Sequence, residues 1–469
     1  MTRLQRGLVD NCFEEGHYES GIAVLEQLRN DKYMPSKSHI RQLLYLALYP
    51  EKGKDKVPSQ PGWAAKGATK QVTQGTTPSD EAISAARQCL MSFALTNSPG
   101  SLMRALPSYD DLTPTLEEAE EDSHLAREAS RFQRCRDCWQ IIKGRFLQVH
   151  SDGMGIIPGS PSKRRRADTQ SYQSHSAELP GSTVGENAWP ILEWLLYLFE
   201  EDERRTSQDG NPKYSPLLLS HISPPKSESG AKWNAGTPLD VAFYCLQQES
   251  PRRRVLGARL LTLLINLTAT SLFDLPLFLN LVLTEFTSRN CRFDETFSLL
   301  PPSSAVFKFK LALCQRYLSD SAAASRSTAR KARPRAQPRP MPFRARKQAQ
   351  EAADEAAAIV NSTSGTSRQD APNISSHHAM PTASEILQLT TRPADSMPHA
   401  QEAKFEMLTT YGMLQKQIEG PDRNAEWRDM LRDGRLSQAV EQAFGSADVG
   451  ERRSPEDMKA ALQMMISVW

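Results

Sequence analysis

Between residues 189 and 318 apolar side chains recur at intervals of three and four, which sets them on one face of successive helices rather than on the alternating face of a strand. Pro190 suits a first helical turn, where its missing N–H would be unpaired in any case. Trp189, Leu192, Leu195, Leu196 and Phe199 form a stripe that the charged run at residues 200–205 ends in solvent. Residues 238–246 give a short helix with Thr237 as its N-cap. Past the break at Ser250 and Pro251, Val255, Leu256, Leu260, Leu263, Leu264 and Leu267 resume the period. Asp274 is placed to cap the next helix, with Leu279, Val282, Leu283 and Phe286 facing inward. Ser303 or Ser304 can cap a last one, which carries Val306, Phe309, Leu313 and Tyr317.

A bilayer-spanning helix needs about 20 largely apolar residues. Arg259, Asn266, Asp274, Pro276 and Asn280 interrupt residues 255–286, so these helices are expected to bury against one another, with no membrane association. The sequon at Asn266 and Thr268 falls inside that core and is not expected to carry a glycan.

At 469 residues the chain has room for two or three domains of about 150 residues each. Its mean hydropathy of −0.52 and the clustering of its 31 prolines predict that less than the whole length folds. Seven cysteines without regular spacing suit a reducing compartment rather than a disulfide framework. Residues 1–10 lack the apolar run of a secretory signal, and Glu14, Glu15 and Glu19 argue against a mitochondrial presequence. The expectation is an intracellular soluble protein.

Residues 8–28 read as two helices joined by a tight turn at Gly16 and His17. Small Gly21 allows close approach, and Leu8, Cys12, Ile22, Leu25 and Leu28 fill the space between them. Pro35 closes the second helix, and Ser36 or Ser38 can cap a third over residues 39–49. The turn Gly16-x-Tyr18-x-x-Gly21 and the distance from Leu8 to Pro35 resemble a tetratricopeptide- or pentatricopeptide-type helical hairpin, over residues 8–48. The sequence departs from that family at Gly21, where Ala is usual. Pentatricopeptide arrays read single-stranded RNA one base per repeat, which takes many repeats, and no adjacent second copy follows. The other reading is a plain antiparallel pair in a solenoid-like domain. Near the far end Gly434, Leu436 and Ala439 repeat the positions of Gly16, Tyr18 and Gly21.

Residues 51–77 read as a linker, followed by a helix capped by Ser79 or Asp80 and carrying Ala82, Ile83, Ala86, Leu90 and Phe93. A long helix is expected from Pro114, through an acidic first turn, to Phe132, Cys135, Trp139, Ile142 and Phe146. Cys135 and Cys138 lie within it as a Cys-x-x-Cys pair. They lack two further zinc ligands and the preceding strand of a redox motif, so they read as packing residues.

Residues 151–187 read as a disordered basic loop. There Lys163, Arg164, Arg165 and Arg166 resemble a nuclear import signal, and Ser160, followed by Pro161 and Lys163, resembles a site for proline-directed kinases. Phosphate on Ser160 would add about −1.5 to −2 charge beside that basic run. The run from Ser250 to Arg254 either meets phosphate or only caps a surface turn.

Residues 319–400 read as a disordered basic linker, and residues 321–350 hold nine Arg or Lys and no acid. Arg330, Lys331, Arg333, Arg335, Arg339, Arg344, Arg346 and Lys347 suit phosphate contact without sequence preference. A second import signal and a solubilising linker fit the same tract. The C-terminal region supplies helices over residues 401–419, 424–444 and 455–469. The last of these carries a stripe of Met458, Leu462, Met465, Ile466 and Trp469, for its own domain or for a partner.

The chain carries no phosphate loop, dinucleotide fingerprint, zinc-protease helix or nucleophile elbow, so neither an enzyme nor a cofactor or metal is expected. The fold class is all-α, an irregular helical-repeat or bundle scaffold with long disordered insertions. Its expected parts are residues 1–150, the loop at 151–187, a central core at 188–318, the linker at 319–400 and a small region at 401–469. The functional expectation is a nuclear helical adaptor that binds protein partners, with nucleic-acid contact through its basic loops. The alternative is an RNA-binding or RNA-processing factor built on the hairpin and the basic tract. The sequence sets no oligomeric state.

Overall fold

A computed structural model of the chain describes residues 2–30, 34–50, 77–109, 123–144, 146–147, 182–209, 212–224, 233–270, 273–327, 380–393, 399–418, 424–444 and 455–469. Among these residues the regular structure is helical and no strand forms; Ser223 and Asn234 make an isolated antiparallel bridge. The expected all-α class is therefore the observed one. The chain divides into two compact units, Met1–Lys310 and Leu311–Trp469. No described helix is long and apolar enough to cross a membrane.

The first unit begins with a hairpin of α1 (Arg3–Glu14) and α2 (Tyr18–Leu28), followed by α3 (Lys37–Leu48), α4 (Asp80–Thr96) and α5 (Pro99–Met103). Gly16 turns the hairpin at φ 76, a left-handed conformation that glycine adopts without a Cβ penalty. A Cβ on Gly21 would lie 2.6 Å from the Phe13 ring, so α1 and α2 pack at a distance that only glycine permits. Phe13 takes that contact and Val9, one turn earlier, is buried with it. Leu8, expected between the helices, is instead 52% exposed, because the buried row is shifted by one residue. The caps follow the first serine of each candidate pair. Ser36 accepts from His39 N–H at 3.1 Å and Ser79 from Ala82 N–H at 3.0 Å.

The long helix expected through residue 146 is broken. In its place stand α6 (His124–Ser130), a 3₁₀ turn at Arg131–Arg134 and the single turn α7 (Cys138–Ile141). Asp137 ends any continuity: its backbone is extended at φ −154, and its side chain accepts from Gln140 N–H at 3.1 Å. The new cap lets Trp139 turn into the core, where its indole N–H donates to the His221 carbonyl at 3.0 Å. The expected start at Pro114 and its acidic turn lie outside the described residues.

The centre of this unit is α8 (Trp189–Gln208), which packs against α3, α4, α5, α9 (Pro216–Ser220) and α11 (Pro251–Leu267). The Trp194 indole donates to the Leu90 carbonyl of α4 at 3.0 Å. The hairpin region and the central core, separate in the sequence reading, thus share one compact unit. The segment after α8 also contributes to that unit, through fully buried Leu218 and Ile222.

Next, α10 (Gly236–Leu246) lies close on α11, with Gly257 facing the Ala242 carbonyl. Its start differs from the expected Thr237 cap: the Asn234 side chain accepts from Gly236 N–H at 2.9 Å. Then follow α12 (Leu275–Ser288), α13 (Phe293–Ser298) and α14 (Ser304–Ser327), capped by Ser303. An aromatic group of Phe243, Phe286, Phe293 and Phe297 joins α10, α12 and α13, with centroids 4.8–6.3 Å apart.

The second unit holds the rest of α14 and α15 (Ala383–Thr391), α16 (Ala400–Gln417), α17 (Ala425–Arg432), α18 (Arg435–Ala443) and α19 (Pro455–Val468). The α15 helix falls in what the sequence marks as linker; Thr382 opens it with a capping box closed by Glu385. Gly434 turns α17 into α18 at φ 77, the same device as Gly16. Trp427 packs edge-on to Tyr411 at 4.9 Å and tilted against Trp469 at 5.9 Å, and Trp469 covers Gly412. Met458 and Leu462 of the expected C-terminal stripe are buried, Met465, Ile466 and Trp469 are half-buried, and Met464 and Val468 face outward.

Candidate functional site

Two helical rows, one on α8 and one on α11, line a groove of about 730 Å³ within the first unit. On α8 the row is Glu200, Glu203, Arg204, Ser207 and Gln208; on α11 it is Val255, Ala258, Arg259, Thr262 and Leu263. Both follow spacings of three and four, so each is one face of its helix. Leu299, Pro301 and Lys213 complete the lining.

The polar groups of the groove are mostly committed. Arg259 grips Glu200 with two hydrogen bonds of 2.7 Å across the helix pair, a fork-to-fork geometry that also holds the guanidinium above its ordinary pKa. Arg204 is engaged by Glu201 at 2.6 and 2.8 Å, outside the groove. Glu203 differs. It is only 5% exposed, and burial raises its carboxyl pKa against the opposing pull of Asn266 and Lys213. Asn266 donates to its Oε1 at 2.8 Å, and the Lys213 ammonium stands 3.6 Å from its Oε2.

The sequence places residues 200–205 in solvent, and the structure corrects this: α8 continues to Gln208 with Glu203 buried. The signal was present, since Glu203 lies four residues after Phe199 and so continues the stripe of Leu192, Leu196 and Phe199. An acid in a core position requires a partner, and Asn266, inside the sequon, supplies it. Val255, expected inward, is 46% exposed at the groove rim.

Other sequence candidates find structural employment. Ser250 is exposed at the N-cap of α11. Of the arginines after it, Arg252 pairs with Glu193 at 2.8 Å, while Arg253 reaches Glu186 at 2.5 Å and lies 4.4 Å over the Trp189 ring. The basic run thus ties α11 to the start of α8. Cys135 and Cys138 do not share a continuous helix. Burial, with Asp137 adding to it, pushes the Cys135 thiol up to about 12 and Cys138 well above its ordinary value, so both are held as unreactive thiols. Buried His221 is driven down to about 4 by desolvation, so it is neutral in the core. Among the described residues no three His, Cys, Asp or Glu side chains are placed to hold a metal.

Ser160, the run Lys163, Arg164, Arg165 and Arg166, and the tract from Arg330 to Lys347 lie outside the described residues. Compared with protein-family models, curated proteins and solved structures, the chain finds no match.

Proposed function

We propose that this chain is a non-enzymatic helical adaptor of the nucleus, which holds protein partners on its folded units and makes auxiliary contact with nucleic acid through its basic tracts. The observation that carries the reading is the groove between α8 and α11, a concave surface formed by two rigid helix faces. Its volume lies in the range of ligand-holding clefts, about 300–1,000 Å³. The strongly shifted thiols and His221 are spent in the core, which suits a scaffold. The import run at residues 163–166 supports the nuclear assignment, and the tract at residues 330–347 supports the nucleic-acid contact.

The test is affinity purification of the full chain from nuclear extract, with and without nuclease digestion. A defined set of proteins that remains bound in fixed ratio supports the adaptor. If everything bound is released by nuclease digestion, the chain is a nucleic-acid binder and the adaptor reading falls.

A further inference from the structure

We propose that the α8–α11 groove accepts a Lys or Arg side chain, flanked by aliphatic residues, from an extended segment of a partner protein, with Lys213 as the intramolecular occupant of the cation position. The inference rests on the adaptor reading and names what that surface recognises.

The argument begins with Glu203. A buried carboxylate needs donors on both oxygens, and the second one here is served at 3.6 Å, beyond a direct hydrogen bond. Lys213 is 61% exposed and stands on the loop between α8 and α9, so its ammonium can withdraw into water at little cost. A cation brought by a partner and buried more completely would meet the same carboxylate at shorter range. Anions are disfavoured, because Arg259 is committed to Glu200 and Arg204 to Glu201, and Glu203 would repel them.

The walls supply the other half of the specificity. Val255, 46% exposed, is the open apolar surface at the rim, and Ala258 and Leu263 are buried in the floor beneath it. Residues 255–263 of α11 extend about 12 Å at 1.5 Å per residue. That length matches about three or four residues of extended chain. One basic side chain with an aliphatic neighbour set against Val255 fits such a space.

The experiment selects random seven-residue peptides displayed on phage against the full chain, then measures the enriched peptides by fluorescence anisotropy. The expected peptides carry Lys or Arg next to an aliphatic residue. Their affinity falls about tenfold or more in Glu203→Gln, because a charge-assisted bond is lost. In Lys213→Ala it rises, because the competing ammonium is gone. Enriched peptides without a basic residue, peptides that bind Glu203→Gln as well as the parent, or no enrichment at all would each overturn the groove assignment. In those cases, nuclease-resistant partners in the nuclear-extract experiment would show that the adaptor reading survives without it.

Discussion

His221 is the residue whose environment makes the sharpest demand. Free histidine titrates near 6.5, and in this core burial lowers the value to about 4, against a weaker hydrogen bond to the Pro107 backbone. The folded state therefore prefers the neutral ring. Its contribution is complete above pH 6.5 and is lost as pH falls from 6.5 toward 4, a swing of about 3 kcal/mol. Urea titrations across that window should show the midpoint falling with pH in the parent and a flatter profile in His221→Phe. Equal slopes would place His221 in water. For Glu203 the sign is reversed, since its folded pKa is raised and ionisation works against the fold as pH rises. Glu203→Gln keeps an acceptor for Asn266 and removes that cost. At pH 7 it should be at least as stable as the parent, with the difference vanishing near pH 4 in the same titrations. Single residues are where the sequence says least. Leu8 and Val255 are apolar and in period, which points them to the core, but a period of 3.6 leaves one residue of freedom at each stripe edge. Packing decides that freedom, and Phe13 on Gly21 decided the first case.

Helices were far more legible. Serine and proline at the starts of α3, α4 and α8 announce them, because a cap or a first-turn proline is a local requirement, whereas Ser250 and Pro251, which read as a break, open α11. The break at Asp137 was missed for a related reason: an Asp inside an apolar period can face solvent or cap a new turn, and the choice is set by Tyr109, 28 residues away, whose hydroxyl donates to it at 3.0 Å. Helix contacts that need glycine can be ranked. A Cβ at Gly257 would meet the Ala242 backbone carbonyl at 2.6 Å and Cys245 at 2.9 Å, and neither can move without separating α10 from α11. Gly257→Ala should cost about 2–3 kcal/mol in equilibrium denaturation. At Gly434 there is open space but a φ of 77, so Gly434→Ala should cost about 1 kcal/mol through backbone strain alone. The opposite ranking would mean that α10 and α11 are less closely packed than described.

For the whole molecule, composition and period sufficed to give the all-α class, but not which helices share a core. Linkers in the sequence suggested a boundary between the hairpin region and residues 188–318, yet Trp194 binds the Leu90 carbonyl and α8 packs on α3 and α4. Long-range contacts of this kind leave no local signature. Loss of the buried indole in Trp194→Ala should cost about 3–5 kcal/mol. Native-state hydrogen exchange should then show α4 and α8 losing protection together; loss confined to α8 would mean they unfold independently.

The groove itself was hidden for the same reason, since its two rows are 47 or more residues apart in sequence and only the fold aligns them. Hydrogen–deuterium exchange on the full chain, with and without a saturating selected peptide, tests its role most directly. The account predicts new protection at residues 200–208 and 255–263. Protection confined to other segments, with these two unchanged, would contradict it.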